Sequence, residues 1–183
     1  LSHQFIKGKS NQLAGNDPSL QSLSAFSSFT WKYNQAFALR LNVRQEERNN
    51  EFKTPSYSIN LSSGTWKGFK LWTSSSRNYR MPTFNDLYWV DGFSKGNSDL
   101  QDEYSFSEDL NASWVKRKKK MELNVHLTAY NQQLYNMIQW QPDQAGIWSP
   151  GNHQEVWSRG LEFRTHFSYQ VKSVNLSLKG NYQ

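Results

Sequence analysis

The sequence predicts an all-β fold, an antiparallel up-and-down sheet of about eight strands, on three observations. Apolar side chains recur at every second position through most of the 183 residues, the signature of strands with one apolar face. The alternating runs are long, nearer the ~9–11 residues of a membrane-spanning strand than the ~5–6 of an ordinary one. The connections also alternate in length. Short ones fall near 33–35, 62–65, 116–120 and 170–173, and long ones near 8–20, 46–51, 78–100 and 141–153. Short turns at one end and long loops at the other are the rhythm of a transmembrane β-barrel, so the sheet is expected to be barrel wall.

Each strand can be read in turn. Leu23, Ala25, Ser27, Phe29, Trp31 and Tyr33 share one face of the first, against Ser22, Ser24, Ser28, Thr30 and Lys32. Phe37, Leu39, Leu41 and Val43 mark the second; Tyr57, Ile59 and Leu61 the third; Phe69, Leu71 and Thr73 the fourth. Pro55 has no ladder donor and is placed at a strand start, bulge or edge. The fifth strand sets Tyr104, Phe106, Leu110, Ala112 and Trp114 on one face, interrupted by Glu108. The sixth opposes Met121, Leu123, Val125, Leu127 and Ala129 to Glu122, Asn124, His126 and Thr128. The seventh carries Trp157, Leu161, Phe163, Phe167 and Tyr169, the eighth Val174, Leu176, Leu178 and Tyr182. Gly160 inside the seventh marks a bulge or a close approach.

The composition narrows the function. Aromatics reach 15% and cysteine is absent, which excludes a disordered chain, a disulfide framework and a thiolate metal site. The mean hydropathy of −0.84 suits a barrel, where only alternate residues meet lipid. The net charge of +6 is concentrated in Lys116, Arg117, Lys118, Lys119 and Lys120. That run reads as a solvated turn, and nucleic acid is not expected as a partner. His3, His126, His153 and His166 show no metal-ligand spacing, and no nucleophile elbow or phosphate loop is present, so no catalytic residue and no enzyme activity is expected. Asp86, Asp91, Asp99 and Asp102 offer hard oxygen ligands for a possible Ca²⁺ in an outer loop.

One stretch carries more information than the rest. Arg80-Met81-Pro82-Thr83-Phe84-Asn85-Asp86-Leu87-Tyr88 is followed by Gly96-Asn97-Ser98-Asp99-Leu100-Gln101-Asp102-Glu103. Pro82 stops strand pairing and Gly96-Asn97 is turn chemistry, so the pair reads as a compact outer loop returning to the next strand. Arg80, Pro82, Leu87, Tyr88, Gly96, Asn97, Leu100 and Glu103 together resemble the R-x-P-T-x-x-x-L-Y … G-N-P-x-L-x-P-E signature of TonB-dependent outer-membrane receptors, with Ser98 and Asp102 in place of two prolines. Ile138, Trp140 and Pro142, then Trp148, Pro150 and Asn152, then Val156, Gly160 and Glu162 are similar to a passage of vitamin B12-type receptors that runs out into a loop and back.

The resemblance implies a 22-stranded barrel in the outer membrane of a Gram-negative bacterium. It would import a scarce ligand, cobalamin or an iron–siderophore, with energy from the TonB system. It spans about residues 20–183, and both ends open in mid-pattern. The chain is therefore expected to be a C-terminal-half fragment, 1–183 all barrel, without the plug domain or the segment that engages TonB. Outer-membrane lipid is the expected partner of the apolar face. Tyr88, Trp89, Trp140 and Trp148 are the candidate ligand-binding residues of the outer loops, where aromatic faces can stack on a planar ligand. The tryptophans as a set are expected near strand ends, as interface girdles. The alternative is a soluble or secreted all-β module binding carbohydrate or another ligand.

Overall fold

The structure, a computed structural model, describes residues 2–8, 13 and 18–183. Most of the long connection expected over 8–20, and the residue Leu1, lie outside them. Among the described residues ten strands and one short helix follow in order: β1 (Ser2–Lys7), β2 (Ser19–Tyr33), β3 (Phe37–Arg48), β4 (Glu51–Phe52), β5 (Ser56–Ser63), β6 (Phe69–Arg80), α1 (Phe84–Tyr88), β7 (Glu103–Lys118), β8 (Met121–Pro142), β9 (Trp148–Val171) and β10 (Val174–Tyr182). The strands form one antiparallel meander, β1-β2-β3-β5-β6-β7-β8-β9-β10, with β4 paired to β3. The eight long strands are those the alternation predicts; β1 and β4 are additional.

The register gathers the polar alternates of successive strands on one face. Ser28 donates to Asn42 at 2.7 Å and Asn42 donates to Ser58 at 2.8 Å, tying β2, β3 and β5. Thr128 donates to Asn111 Oδ1 at 2.8 Å between β8 and β7. The opposite face is apolar and bare: Phe29 is 56% exposed, Leu110 58% and Leu161 63%. Among the described residues Leu13, Leu20 and Ile138 are the buried aliphatic side chains. A soluble sandwich would cover its apolar face with a second layer. Among the described residues the sheet is a single layer, unlike such a module. An uncovered apolar face beside a polar one is what a barrel wall between lipid and lumen requires.

Aromatic clusters mark both ends of the apolar face. At the short-turn end, Trp31 meets Phe37 edge-on at 5.7 Å and Phe69 stacks on Trp114 at 5.7 Å. At the other end Tyr104 stacks on Tyr135 at 4.9 Å beside Phe106. Trp72 departs from the girdle expectation: it lies edge-on to His126 at 5.0 Å, on the polar face.

One loop expectation needs correction. The connection expected over 141–153 is a five-residue turn, because β8 runs to Pro142 and β9 begins at Trp148. Asp143 closes it, accepting the backbone N–H groups of Ala145 at 2.8 Å and Ile147 at 2.9 Å, and Gly146 takes a φ of +81°. Pro142 and Pro150, both inside the expected connection, pair within the hairpin, with Trp148 and Trp140. The connection over 78–100 is folded, as expected, and it holds α1. The irregularity in the hairpin is instead a bulge between Leu134 and Ile138, with Asn136 at φ 54°. Gly160 marks a close approach: a Cβ there would lie 2.7 Å from Tyr130 Oη.

Candidate functional site

The motif loop is held by two buried carboxylates at the long-loop end of the wall. Arg80 ends β6 and Glu103 begins β7, directly opposite in the register. The Arg80 guanidinium forks onto Glu103, Nε to Oε2 at 2.7 Å and Nη2 to Oε1 at 2.8 Å. Glu103 Oε1 also accepts the buried backbone N–H of Ile138 at 2.6 Å, just past the β8 bulge. One side chain thus joins three strands.

Asp86 is the second hub. Thr83 caps α1: its hydroxyl oxygen accepts the Asp86 N–H at 3.2 Å, while Asp86 Oδ2 accepts the Thr83 N–H at 2.9 Å. This is a capping box with Asp in the third helical position. Asp86 Oδ1 accepts the Trp140 indole N–H at 3.0 Å, and Arg80 Nη1 lies 3.8 Å from Oδ2. Burial works to raise the Asp86 carboxyl. The bonds from the Thr83 backbone, the Trp140 indole and the Thr83 hydroxyl, with the attraction of Arg80, outweigh it and hold the group below its ordinary value.

The second half of the motif closes the loop. A Cβ on Gly96 would fall 2.7 Å from the backbone of Leu87 and Tyr88, so only glycine lets α1 cross there. The Asn97 N–H reaches Asp86 O at 2.8 Å, and its side chain donates to Pro150 O on β9 at 3.2 Å. Asn152 Nδ2 donates to Gln101 O at 3.1 Å, and Asn152 Oδ1 accepts the Gln101 N–H at 2.8 Å. Pro82 is buried, while Leu87, Tyr88 and Leu100 are half-buried.

Of the four candidate ligand-binding residues, the structure brings two together. Trp89 and Trp140 line one recess of about 390 Å³ with Arg80, Thr83 and Asn85. Trp140 is engaged by Asp86, and the Trp89 indole N–H donates to Asp91 at 3.0 Å. Tyr88 ends α1 and lies against Phe84, ring centroids 6.3 Å apart. Trp148 sits apart at the hairpin tip, 47% exposed, where its backbone pairs with Phe93 and Lys95.

The carboxylates considered for Ca²⁺ have other partners. Asp86 is in the latch, Asp91 holds Trp89 and the Phe93 N–H, and Asp102 is 3.6 Å from Lys53. The Asp99 carboxylate meets a distant Ser98 hydroxyl, at 3.5 Å. Among the described residues no three His, Asp or Glu side chains are placed to hold a metal.

Sequence reading missed Thr83, although Thr83-x-x-Asp86 is a capping-box spacing. It also missed Phe93, 76% exposed at the loop tip. A third omission is a recess of about 390 Å³ on the polar face, between β8, β9 and β10, that gathers Arg164, Lys179 and two histidines. There His126 lies across from Arg164, and His166 lies across from Lys179. The first pair is separated by 38 residues of sequence, so only the register reveals it.

A single-layer meander with one apolar and one polar face, aromatic at both margins and with loops knit together at one end, is the wall of a transmembrane β-barrel. The family described as TonB dependent receptor-like, beta-barrel, matches residues 4–183, and the chain belongs to it. It is a family of Gram-negative outer-membrane transporters, not enzymes. The vitamin B12 transporter BtuB of Vibrio vulnificus is 31% identical over 99 residues, 54% of this chain and 15% of that protein. BtuB of Photobacterium profundum is 30% identical over 103 residues, 54% of this chain and 16% of that protein. The match thus spans about one-sixth of these relatives. Among solved structures, the Serratia marcescens hemophore receptor HasR superimposes with a TM-score of 0.72 at 12% identity, covering 98% of this chain and 37% of that one. The siderophore receptor PirA of Pseudomonas aeruginosa gives 0.68 at 15% identity, covering 91% and 40%. At those identities the structures establish the fold.

Proposed function

We propose that the chain is part of the barrel wall of a receptor that takes up cobalamin, energised through TonB. The observation that carries this is the sequence match to two vitamin B12 transporters, at 30–31% identity over about half the chain. Its role is mechanical and recognitive. The apolar face meets outer-membrane lipid and the polar face lines the lumen. The latched loop holds Trp89 and, with the hairpin, Phe93 and Trp148 at the outer end for capture. The plug and the TonB-engaging segment belong, on this reading, to other parts of the protein. Uptake of labelled cobalamin in cells lacking the gene, compared with cells carrying it, is the test. Equal uptake in the two strains would sink the reading.

A second reading, uptake of an anionic iron chelate, is favoured by the recess on the polar face that holds Arg164 and Lys179 beside the imidazoles of His126 and His166. Uptake of a ferric siderophore in the same two strains separates them.

A further inference from the structure

The charge of this wall is sorted by end. Within three residues of the four short turns (34–36, 64–68, 119–120 and 172–173) stand nine lysines and arginines and one carboxylate, Glu122. Register sorts them again by face. Arg117 lies on the polar side and donates to Glu122 at 2.7 Å. Lys116 and Lys118 alternate with it, pair opposite Leu123 and Met121, and so lie on the apolar side. Lys116 Nζ lies 5.7 Å from the Trp114 ring, and Lys67 Nζ lies 4.9 Å from the Trp66 ring. Both lysines are exposed, as is Lys118, and no carboxylate pairs with any of the three among the described residues.

The turn carrying Lys67 is fixed against β7. The Val115 N–H donates to Gly68 O at 3.0 Å, and a Cβ on Gly68 would collide with Val115 O. Gly68 takes a φ of +86°. Phe69 stacks on Trp114 and bridges to Trp66. The result is a preformed aromatic shelf of Trp66, Phe69 and Trp114 with ammonium groups beyond it, on the lipid side of the wall.

We propose that this shelf is a seat for an anionic phospholipid, its phosphate held by Lys67, Lys116 and Lys118 and its upper acyl chains lying against the three rings. Two features select this occupant over a soluble acidic partner. The lysines share a face with the hydrocarbon-facing belt, and the rings lie between them and that belt, where an amphipathic side chain meets the headgroup layer. A cluster of lysines at that level attracts anionic headgroups, by about fivefold in affinity per lysine. The choice of phospholipid, as opposed to the lipid of the other leaflet, rests on the short turns lying on the periplasmic side.

The intact receptor is reconstituted in nanodiscs of phosphatidylcholine containing some phosphatidylglycerol, and the lipids it retains are identified by native mass spectrometry. Wild type retains phosphatidylglycerol in preference to phosphatidylcholine. The triple variant Lys67→Gln, Lys116→Gln, Lys118→Gln loses that preference by at least roughly tenfold, and the corresponding triple arginine variant keeps it. Lys70→Gln with Lys179→Gln, which removes two lysines of the polar face, leaves it intact. An unchanged preference in the glutamine variant, a loss in the arginine variant, or an equal loss in the polar-face control overturns the seat. Displacement of phosphatidylglycerol by added lipid A, with the same lysine dependence, overturns the choice of leaflet.

Discussion

The indole N–H of Trp140 donates to Asp86 Oδ1 at 3.0 Å across 54 residues of sequence. That bond joins the helix of one long loop to the hairpin that forms the next. With the Asn97 and Asn152 contacts it makes the two connections a single body.

The acid sensitivity of that body follows from Asp86. Its carboxyl titrates lower in the folded loop than in the unfolded chain, so the folded loop binds fewer protons in that range. The stabilisation is therefore complete above the unfolded value of 3.8 and is lost as pH falls through the lower, folded one. Hydrogen-exchange protection across 83–97 should collapse in acid in wild type, and respond far less in Asp86→Asn. Identical acid responses would show that Asp86 does not hold the loop.

Glu103 should be the costlier loss. Glu103→Ala leaves the buried Ile138 N–H without an acceptor and frees Arg80, a cost of about 2–4 kcal/mol. Glu103→Gln keeps the acceptor for Ile138 and should cost less. Urea unfolding of the receptor refolded in lipid ranks the two; equal stability of Glu103→Ala and wild type would contradict the three-strand junction.

Gly96→Ala should disturb the loop, while Gly92→Ala should not. The added methyl meets backbone 2.7 Å away at the first site and nothing within 4 Å at the second. Overpacking of this kind costs about 1–3 kcal/mol. Limited proteolysis within 81–102 is the readout, and equal cleavage of the two variants would count against the crossing.

The two faces predict opposite responses on one strand. Val125 pairs with Trp114 and Thr165 on the apolar face, and Asn124 lies on the polar one. Val125→Arg should destabilise, though by less than the ~2–4 kcal/mol of a midplane site because Val125 lies level with Trp114 at the belt margin, and Asn124→Arg should be milder still. Refolding into lipid vesicles gives the ranking. The reverse order would mean the apolar face is not the lipid face.

Sidedness can be read directly. Single cysteines at Lys118 and Gly146 of the receptor in intact cells should differ, with a membrane-impermeant thiol reagent reaching the second and not the first. Labelling at Lys118 alone would invert the topology and move the lipid seat to the other leaflet.

Much of the wall was legible because period-two alternation is a local signal. Leu123, Val125 and Leu127 announce their face within five residues, and Pro55 announces the start of β5. The hairpin tip was not legible. Pro142 and Pro150 carry a local message of termination, and only the partner strand shows that they lie opposite Trp148 and Trp140. The motif was legible as a loop, with Arg80 and Glu103 as its ends, but not as a latch: the fork between them is a contact across 23 residues. The bond from Trp140 to Asp86 was not legible for the same reason, since the indole's partner lies on a different element.

The bulge at Asn136 and the length of β8 set how far this wall stands out from the bilayer. On the apolar side of β8, Tyr135 stands at the outer margin of the belt, stacked on Tyr104. Beyond Tyr135 the strand continues to Pro142. At ~3.3 Å per residue that is roughly 23 Å of strand, or about 16–19 Å of height once tilted. Phe93 and Trp148 therefore ride on a mast more than half as tall as the hydrocarbon core is thick. On the proposed reading, a solute that reaches them does so in water, clear of the surface that the rest of the wall is built to sit in.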